Sequence, residues 1–115
     1  MFFDQAIVRV RAGTRVDRSG NTVLDWSPDA VDRLQVQEVS IQPTTATETH
    51  LPERTAVVTG WHVQSPPGVD LDIQAGDRIE WAGLLLEVDG EVARWTDPLD
   101  GTVHHVELDI RRATG

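Results

Sequence analysis

The chain has 115 residues, of which 39% are hydrophobic and 25% are charged, and its formal net charge at neutral pH is −9. A chain of this length forms one domain with a sizeable core, and its many valines argue against disorder. The absence of cysteine excludes disulfides, thiolate metal sites and cysteine nucleophiles. No apolar run approaches the length of a membrane span, and the first residues lack the basic segment of a signal peptide, so we expect a soluble cytoplasmic protein.

The charges are unevenly distributed along the chain. Residues 1–42 have a net charge of −1, whereas residues 43–115 have a net charge of −8. The stretch 69–110 alone contains eleven acidic residues against Arg78 and Arg94. Because an acidic protein repels phosphates, binding to the backbone of nucleic acids is a poor hypothesis.

The first part of the chain predicts short strands separated by turns. Alternation over residues 5–12 predicts a strand with its valines on one face and Arg9 and Arg11 on the other. Residues 18–21 contain Gly and Asn and predict a tight turn. After that turn, residues 22–26 are expected to pair back as a short second strand.

The middle of the chain predicts a helical turn, two strands and a long loop. A Ser-Pro-Asp sequence is typical of a helix N-terminus and predicts one helical turn over residues 28–33. Residues 34–42 predict a strand that ends at Pro43. The threonine-rich residues 43–54 predict one long exposed loop, and loops of this length in compact domains are often functional. Residues 55–64 predict the next strand, which a Ser-Pro-Pro-Gly sequence ends.

The last third predicts a hairpin and a closing strand. Residues 77–81 and 84–88 predict two strands joined by a tight turn at Ala82 and Gly83. The remaining predicted elements are a turn at residues 89–90, a short segment at 91–95, a turn at 97–101 and a strand at 103–110.

Together these elements predict an all-β fold, a small single-domain β-barrel of about six short strands with one long exposed loop, spanning residues 1–115. A closed or nearly closed barrel lets so small a sheet cover its own apolar face. The predicted core residues alternate along hairpin-related strands and are Ile79, Trp81, Leu86, Val88, Val106, Leu108 and Ile110.

The sequence contains no pattern typical of an enzyme or a metal site. The four histidines lack metal-ligand spacing, and the neighbours His104 and His105 would point to opposite faces of a strand. Asp70, Asp72 and Asp77 lack the offsets of a calcium-binding loop and predict a solvated acidic loop. There is no nucleophile elbow, phosphate-binding loop or dinucleotide fingerprint. We therefore expect no enzyme, no cofactor and no bound metal.

Four tryptophans with no tyrosine are unusual in a chain of this size. Trp61, Trp81 and Trp95 fall in predicted strands and are expected to pack in the barrel core. A tryptophan outside the core would indicate an interface anchor or a stacking platform for a sugar.

The order of motifs over residues 56–110 resembles that of the head-completion proteins of long-tailed bacteriophages, the head-to-tail stopper or head-closure family. The shared features are a strand entering a Pro-Pro-Gly break, a GDRI-x-W-x-G strand and turn, an EVDGEVARW hairpin and a closing HHVEL strand. The preceding TRVDRSGNTVLDW sequence is similar to the amino-terminal stretch of such proteins. The resemblance covers most of the chain.

The resemblance implies a virion protein that forms a homo-oligomeric ring at the head–tail junction, after assembly in the host cytoplasm. Such a ring would lie below the portal and its adaptor, close the DNA channel and dock the tail terminator or tail tube, with DNA passing through its lumen without specific binding and with no membrane partner. The resemblance also places a channel gate in the long loop, and the candidate gate residues are Thr44, Thr45, Thr47, Glu48, Thr49 and His50. Arg111 and Arg112, expected just beyond the last strand, are candidates for pairing with acids of an adjacent subunit or an adaptor ring.

Two alternatives remain open at the level of sequence. The first is a neighbouring position in the same machine, a tail terminator or minor tail protein. The second belongs to another class, a monomeric carbohydrate-binding module that uses exposed tryptophans. Oligomeric state separates a ring from such a monomer.

Overall fold

Alternating apolar and polar residues give this chain an antiparallel all-β structure, seen in a computed structural model that describes residues 2–47 and 56–112. Six strands close into a barrel in the order β1-β4-β5-β8-β7-β6, and β2 and β3 form a separate two-stranded sheet. The predicted small β-barrel is therefore confirmed. The strands are β1 (Gln5–Arg11), β2 (Gly13–Val16), β3 (Thr22–Asp25), β4 (Asp32–Thr47), β5 (Ala56–Gln64), β6 (Arg78–Trp81), β7 (Leu84–Thr96) and β8 (Val103–Arg112).

The barrel core consists of the inward-facing apolar residues of these strands together with two residues of a loop. Six of the seven predicted core residues are buried, and the exception is Trp81, which is half-buried at the edge of the core. Trp81 packs edge-to-face against Trp61, with ring centroids 5.6 Å apart. The buried core residues are Ile7, Val36, Val39, Val63, Leu71, Ile73, Ile79, Leu86, Val88, Val106, Leu108 and Ile110.

Strand β1 places an arginine on its inward face. Ile7 is opposite Val36, and Arg9 is opposite Ile79, so both share a face with core residues. Arg9 is only 1% exposed. The predicted alternation of β1 is present, but the face that carries Arg9 turns toward the core at one end of the barrel.

One local prediction is confirmed in part and another is wrong. The predicted single turn after Ser27 is present, since the carbonyl of Ser27 accepts hydrogen bonds from the amides of Ala30 and Val31, but it does not reach residue 33 because β4 begins at Asp32. Residues 89–90 do not end a strand, because β7 continues to Thr96 through an irregular stretch in its pairing with β8.

The chain is more extended than its length requires. The Cα radius of gyration is 16.8 Å, whereas a compact domain of this length has about 13 Å. Two-stranded segments beyond the closed barrel account for this shape. They are the β2–β3 hairpin, the outer parts of β4 and β5, and the outer parts of β7 and β8.

Candidate assembly surfaces

The outer parts of β4 and β5 form a two-stranded arm, defined as residues 43–47 and 56–60. The prediction that Pro43 ends β4 is wrong, since Pro43 lies opposite Trp61 and the pairing continues to Thr47 and Ala56. Strand β1 pairs with β4 only as far as Val39, so β4 has a single neighbour along the arm. A strand with one neighbour tolerates proline because half of its amides point away from the ladder.

The candidate gate residues fall partly on this arm. Thr44, Thr45 and Thr47 belong to β4, with a register irregularity between Thr44 and Thr45, and therefore are not loop residues as predicted. Glu48, Thr49 and His50, and the rest of the predicted loop up to residue 54, lie outside the described residues. A gate at this position would connect the paired ends of β4 and β5.

Gly60 marks the point where the arm leaves the barrel. A Cβ at this position would come within 2.4 Å of the carbonyl oxygen of Ile110. Only glycine allows β5 to approach β8 this closely, and this glycine is buried. The arm is therefore attached to the barrel at the close contact between β5 and β8.

Arg111 and Arg112 lie within β8 rather than beyond the last strand as predicted. The Nε of Arg111 is 2.9 Å from Glu87 Oε1 on β7 of the same chain. The guanidinium of Arg112 lies over the Trp61 ring, 5.7 Å from its centroid. Cross-strand pairing with β7 explains why the strand extends this far. An intermolecular role for these arginines stays a prediction, and for Arg111 it would compete with Glu87.

The opposite end of the barrel is closed by the plug loop, residues 65–77. Leu71 and Ile73 are 4% and 0% exposed and complete the core at this end of the barrel. Ser65 holds the start of the loop, since its Oγ donates to the carbonyl of Val69 and accepts from the amide of Val106, both at 2.8 Å. This end of the barrel is a packed surface rather than an opening.

Buried and half-buried arginines bind the plug loop to β1. The buried guanidinium of Arg9 donates to Asp72 Oδ2 at 2.9 Å and also pairs with Asp32. Arg11 donates from Nε and Nη2 to both carboxylate oxygens of Asp77, at 3.0 and 2.9 Å. The hydrogen bond from Arg11 also lowers the pKa of Asp72. The predicted solvated acidic loop is confirmed in part: Asp70 and Asp72 are exposed, whereas Asp77 is buried and paired with Arg11.

Arg94 binds the same loop from β7. Its Nη2 donates to the carbonyls of Leu71 and Ile73, at 3.0 and 2.8 Å, and its Nε lies 3.1 Å from Asp70 Oδ1. Sequence reasoning assigned no role to Arg9 or Arg94. The available signal was the presence of isolated arginines in apolar strands together with one loop rich in aspartate.

Replacing Arg94 by Gln should lower the free energy of unfolding by about 1–3 kcal/mol, because two loop carbonyls lose a charged donor. Urea denaturation followed by tryptophan fluorescence measures this change. Arg15→Gln, at an exposed position, serves as the matched control and should change stability by less than about 0.5 kcal/mol. Equal stabilities for the two variants would contradict the role of Arg94 in holding the loop.

Histidines and acids form a chain of contacts on the outer face of β5 and β8. His62 lies 2.8 Å from both Glu107 and Asp109, and His105 Nε2 lies 2.9 Å from the second oxygen of Glu107. Burial lowers the pKa of His62, but hydrogen bonds to Asp109 and Glu107 outweigh it and raise the pKa overall. The hydrogen bonds from His105 and His62 lower the pKa of Glu107.

The stability of the protein should therefore fall as the pH rises above neutrality. A raised pKa means that the His62 contribution is complete below its unfolded value of about 6.5 and is lost as the pH passes its folded value. We expect less than about 1 kcal/mol, because the group is partly exposed. Urea midpoints at about pH 6 and about pH 8.5 measure it. His62→Gln should abolish the difference and His104→Gln should retain it; an unchanged pH dependence in His62→Gln would refute this origin.

The tryptophans divide into packed and exposed side chains. Trp61 and Trp81 pack against the core, as predicted, although both are half-buried. Trp26 is covered by the guanidinium of Arg78, 4.0 Å from the ring centroid. The predicted core position of Trp95 is wrong: its side chain is 55% exposed and stacks on His105 near the turn between β7 and β8. An alternating strand there extends beyond the barrel, where no core faces it.

Neither a membrane-spanning helix nor a metal-binding group is found in the described part of the chain. Across residues 2–47 and 56–112, no helix is long and apolar enough to cross a membrane. The same residues bring together no group of three or more His, Asp or Glu side chains that could hold a metal ion.

Comparisons with known proteins include a structural neighbour of low similarity. No family model matches the chain, and no curated protein matches it. Among solved structures, protein xkdH of the phage-like element PBSX from Bacillus subtilis aligns over 97% of this chain and 96% of its own, with a TM-score of 0.46 and 17% sequence identity. A likeness at this level carries no argument about fold or function.

Proposed function

We propose that this chain is a structural, non-enzymatic protein of a long-tailed bacteriophage virion and acts as the head-to-tail stopper. Copies of the chain form a ring at the head–tail junction that closes the DNA channel after packaging and docks the tail. The portal or adaptor lies on one side of the ring, and the tail terminator or tail tube lies on the other. The motif order over residues 56–110 supports this assignment.

The structural observation that carries the proposal is the set of two-stranded extensions on a closed barrel. A lone two-stranded segment is marginally stable in water, and yet β2 and β3 pair only with each other in the described structure. Strand edges of this kind are normally covered by another chain or blunted by charge. A ring of identical subunits covers such extensions with neighbouring copies.

The charge distribution agrees with a channel through which DNA passes without adhering. Most of the acids in residues 69–110 have an Arg or His partner within the chain. Within the described residues no Arg or His forms an ion pair with Glu91, Asp97 or Asp100. In a ring these charges are multiplied by the number of subunits and repel phosphates at close range.

A nonsense mutation in the gene, made in the phage or prophage genome that encodes it, tests the proposal. We expect lysates with separate tails and with heads that package DNA but lose it, as seen by electron microscopy, and expression of the wild-type chain in trans should restore complete particles. Closed, DNA-filled heads with defective tails would instead support the tail-terminator or minor-tail alternative. Complete infectious particles without the chain would refute a role at this junction.

Solution measurements separate the ring from the carbohydrate-binding alternative. That alternative depends on Trp95, the most exposed tryptophan of the described residues. A carbohydrate-binding module would remain monomeric in light scattering and show quenching of tryptophan fluorescence on adding sugars. A stopper should form large particles as its concentration rises and show no response to sugars.

A further inference from the structure

His62 lies between two carboxylates of the neighbouring strand, on the outer face of the barrel. Its Nδ1 is 2.8 Å from Asp109 Oδ1, and its Nε2 is 2.8 Å from Glu107 Oε1. An ionised carboxylate only accepts hydrogen bonds, so both ring nitrogens must donate. An imidazole with a proton on both nitrogens carries a positive charge. This arrangement, here called the His62 clasp (His62, Glu107 and Asp109), therefore requires the protonated ring.

The His62 clasp crosses a short seam of the barrel. In the described structure β5 pairs with β8 over four residue pairs, whereas β4 with β5 and β7 with β8 each pair over eight. His62 and Asp109 are direct partners in this seam, and Glu107 lies diagonally opposite His62. Cross-strand pairs of opposite charge stabilise a ladder of this kind. The clasp therefore adds side-chain contacts where the backbone pairing is short.

The two ends of this seam differ in what supports them. Toward the plug loop Ser65 continues the contact, since its amide donates to the carbonyl of Val106 and its Oγ accepts from the Val106 amide. Toward the arm, the pairing ends with Trp61 and Ile110, and the preceding Gly60 has no side chain to contribute. Loss of the clasp should therefore loosen the end of the seam from which the arm leaves.

The surroundings of His62 make its two carboxylate partners the groups that control its protonation. On β4 its direct partner is the uncharged Gln42. Burial lowers the pKa of His62, but the hydrogen bonds to Asp109 and Glu107 raise it overall. The titratable or charged groups that contact these carboxylates, contact their partners or lie opposite them on β7 are His104, His105, Asp89 and Arg111.

We propose that the His62 clasp is a pH-dependent switch that holds the base of the arm (residues 60–62) against β8. While the ring is protonated, both carboxylates are bonded and the arm end of the seam stays closed. When the ring loses a proton, one nitrogen presents a lone pair to a carboxylate oxygen and no longer donates. That contact becomes repulsive, so the seam opens locally at the base of the arm while the rest of the barrel stays folded.

The switch has a consequence for the proposed ring. A base that opens at high pH would weaken the closure of the channel by the arm. This consequence rests on the proposed function, whereas the switch itself is a property of a single chain. A negative result on the purified chain would therefore refute the switch and leave the ring standing, and a chain without a role in the virion could still contain the switch.

Hydrogen–deuterium exchange of the wild-type chain, followed by mass spectrometry, tests the switch. Protection factors, which remove the intrinsic effect of pH on exchange, are compared at about pH 6 and about pH 8.5. The base of the arm should be less protected than β6 at both values, because it opens without global unfolding. Its protection should fall about two- to fivefold at the higher pH, as expected for the loss of partly exposed ion pairs. The β2–β3 hairpin, a separate sheet, is the internal control and should be equally protected at both.

Two variants identify His62 as the group responsible. His62→Gln should show the same protection at both pH values, close to that of the wild type at the higher one. Combining His62→Cys with Asp109→Cys replaces the clasp by a disulfide, because the two positions are direct partners and the chain has no other cysteine. The oxidised form should stay protected at both pH values, and the reduced form should behave like His62→Gln.

Three outcomes would overturn the switch. Equal protection of the base of the arm at both pH values in the wild-type chain would show that the clasp does not hold it. A base as protected as β6 would show that the seam opens only when the whole barrel unfolds. A pH dependence that persists in His62→Gln would assign the titration to another group.

Discussion

Replacing Ile73 by Ala should lower the free energy of unfolding by about 2–5 kcal/mol, as expected for truncation of a fully buried isoleucine. Ile73 belongs to no strand, yet its side chain is 0% exposed and packs among the core residues of the barrel. Its carbonyl is held by Arg94 at 2.8 Å, so the loop cannot easily collapse into the space that the substitution leaves. Chemical denaturation with urea measures the change.

Two reference variants make this result interpretable. Val69→Ala lies on the same loop at an exposed position and should change stability by less than about 0.5 kcal/mol. Leu108→Ala removes a core side chain from β8 and should cost about 2–5 kcal/mol. If Ile73→Ala behaves like Val69→Ala, the plug loop is not part of the core; if it behaves like Leu108→Ala, the loop belongs to the same cooperative unit as the strands.

The sequence predicted the barrel strands well because alternation is a local property. The inward residues Ile79, Leu86, Val106 and Leu108 follow directly from a period of two along hairpin-related strands. The turn at Ala82 and Gly83 follows from its glycine, and both residues have the positive φ that a two-residue hairpin turn requires, which is uncommon for alanine. These features depend on neighbours close in sequence.

The plug loop could not be predicted, because its stability depends on partners far away in the chain. Arg9 and Asp72 are 63 residues apart, and Arg94 reaches back to the carbonyl of Leu71. Residues 65–77 show turn signals and acids, which by themselves are typical of a solvated loop. Only the closed strand order brings both sets of arginines to the same end of the barrel.

The candidate assembly surfaces could be predicted only in part for a related reason. Sequence analysis selected the threonine-rich stretch and the pair Arg111 and Arg112, but it predicted that Pro43 ends a strand. That interpretation assumes a neighbour on both sides, whereas β4 has only β5 beside it at this point. Which surfaces share one end of the barrel depends on the closed strand order, which alternation does not reveal.

Shortening the connection between the two strands of the arm should prevent the proposed ring from retaining DNA. Thr47 and Ala56 are direct partners at the end of the pairing, so an Asn-Gly sequence in place of residues 48–55 can close a two-residue turn without altering the barrel. We expect most heads of the mutant phage to package DNA and then lose it, because the segment that we propose as the gate has been removed. Electron microscopy of filled and empty heads, with nuclease sensitivity of the DNA, measures the effect.

A second variant separates the length of this connection from its residues. Replacing residues 48–55 by eight residues of Gly and Ser keeps the length but removes Glu48, Thr49 and His50. If this variant retains DNA and the shortened one does not, the length of the connection is what matters. If both lose DNA, the side chains of the connection are required. If the shortened variant closes its heads, joins tails and keeps its DNA as the wild type does, the gate is not at the end of this arm. The proposed stopper role, which the nonsense mutation tests, would then depend on another surface of the ring, and the packed plug end of the barrel would be the next surface to examine.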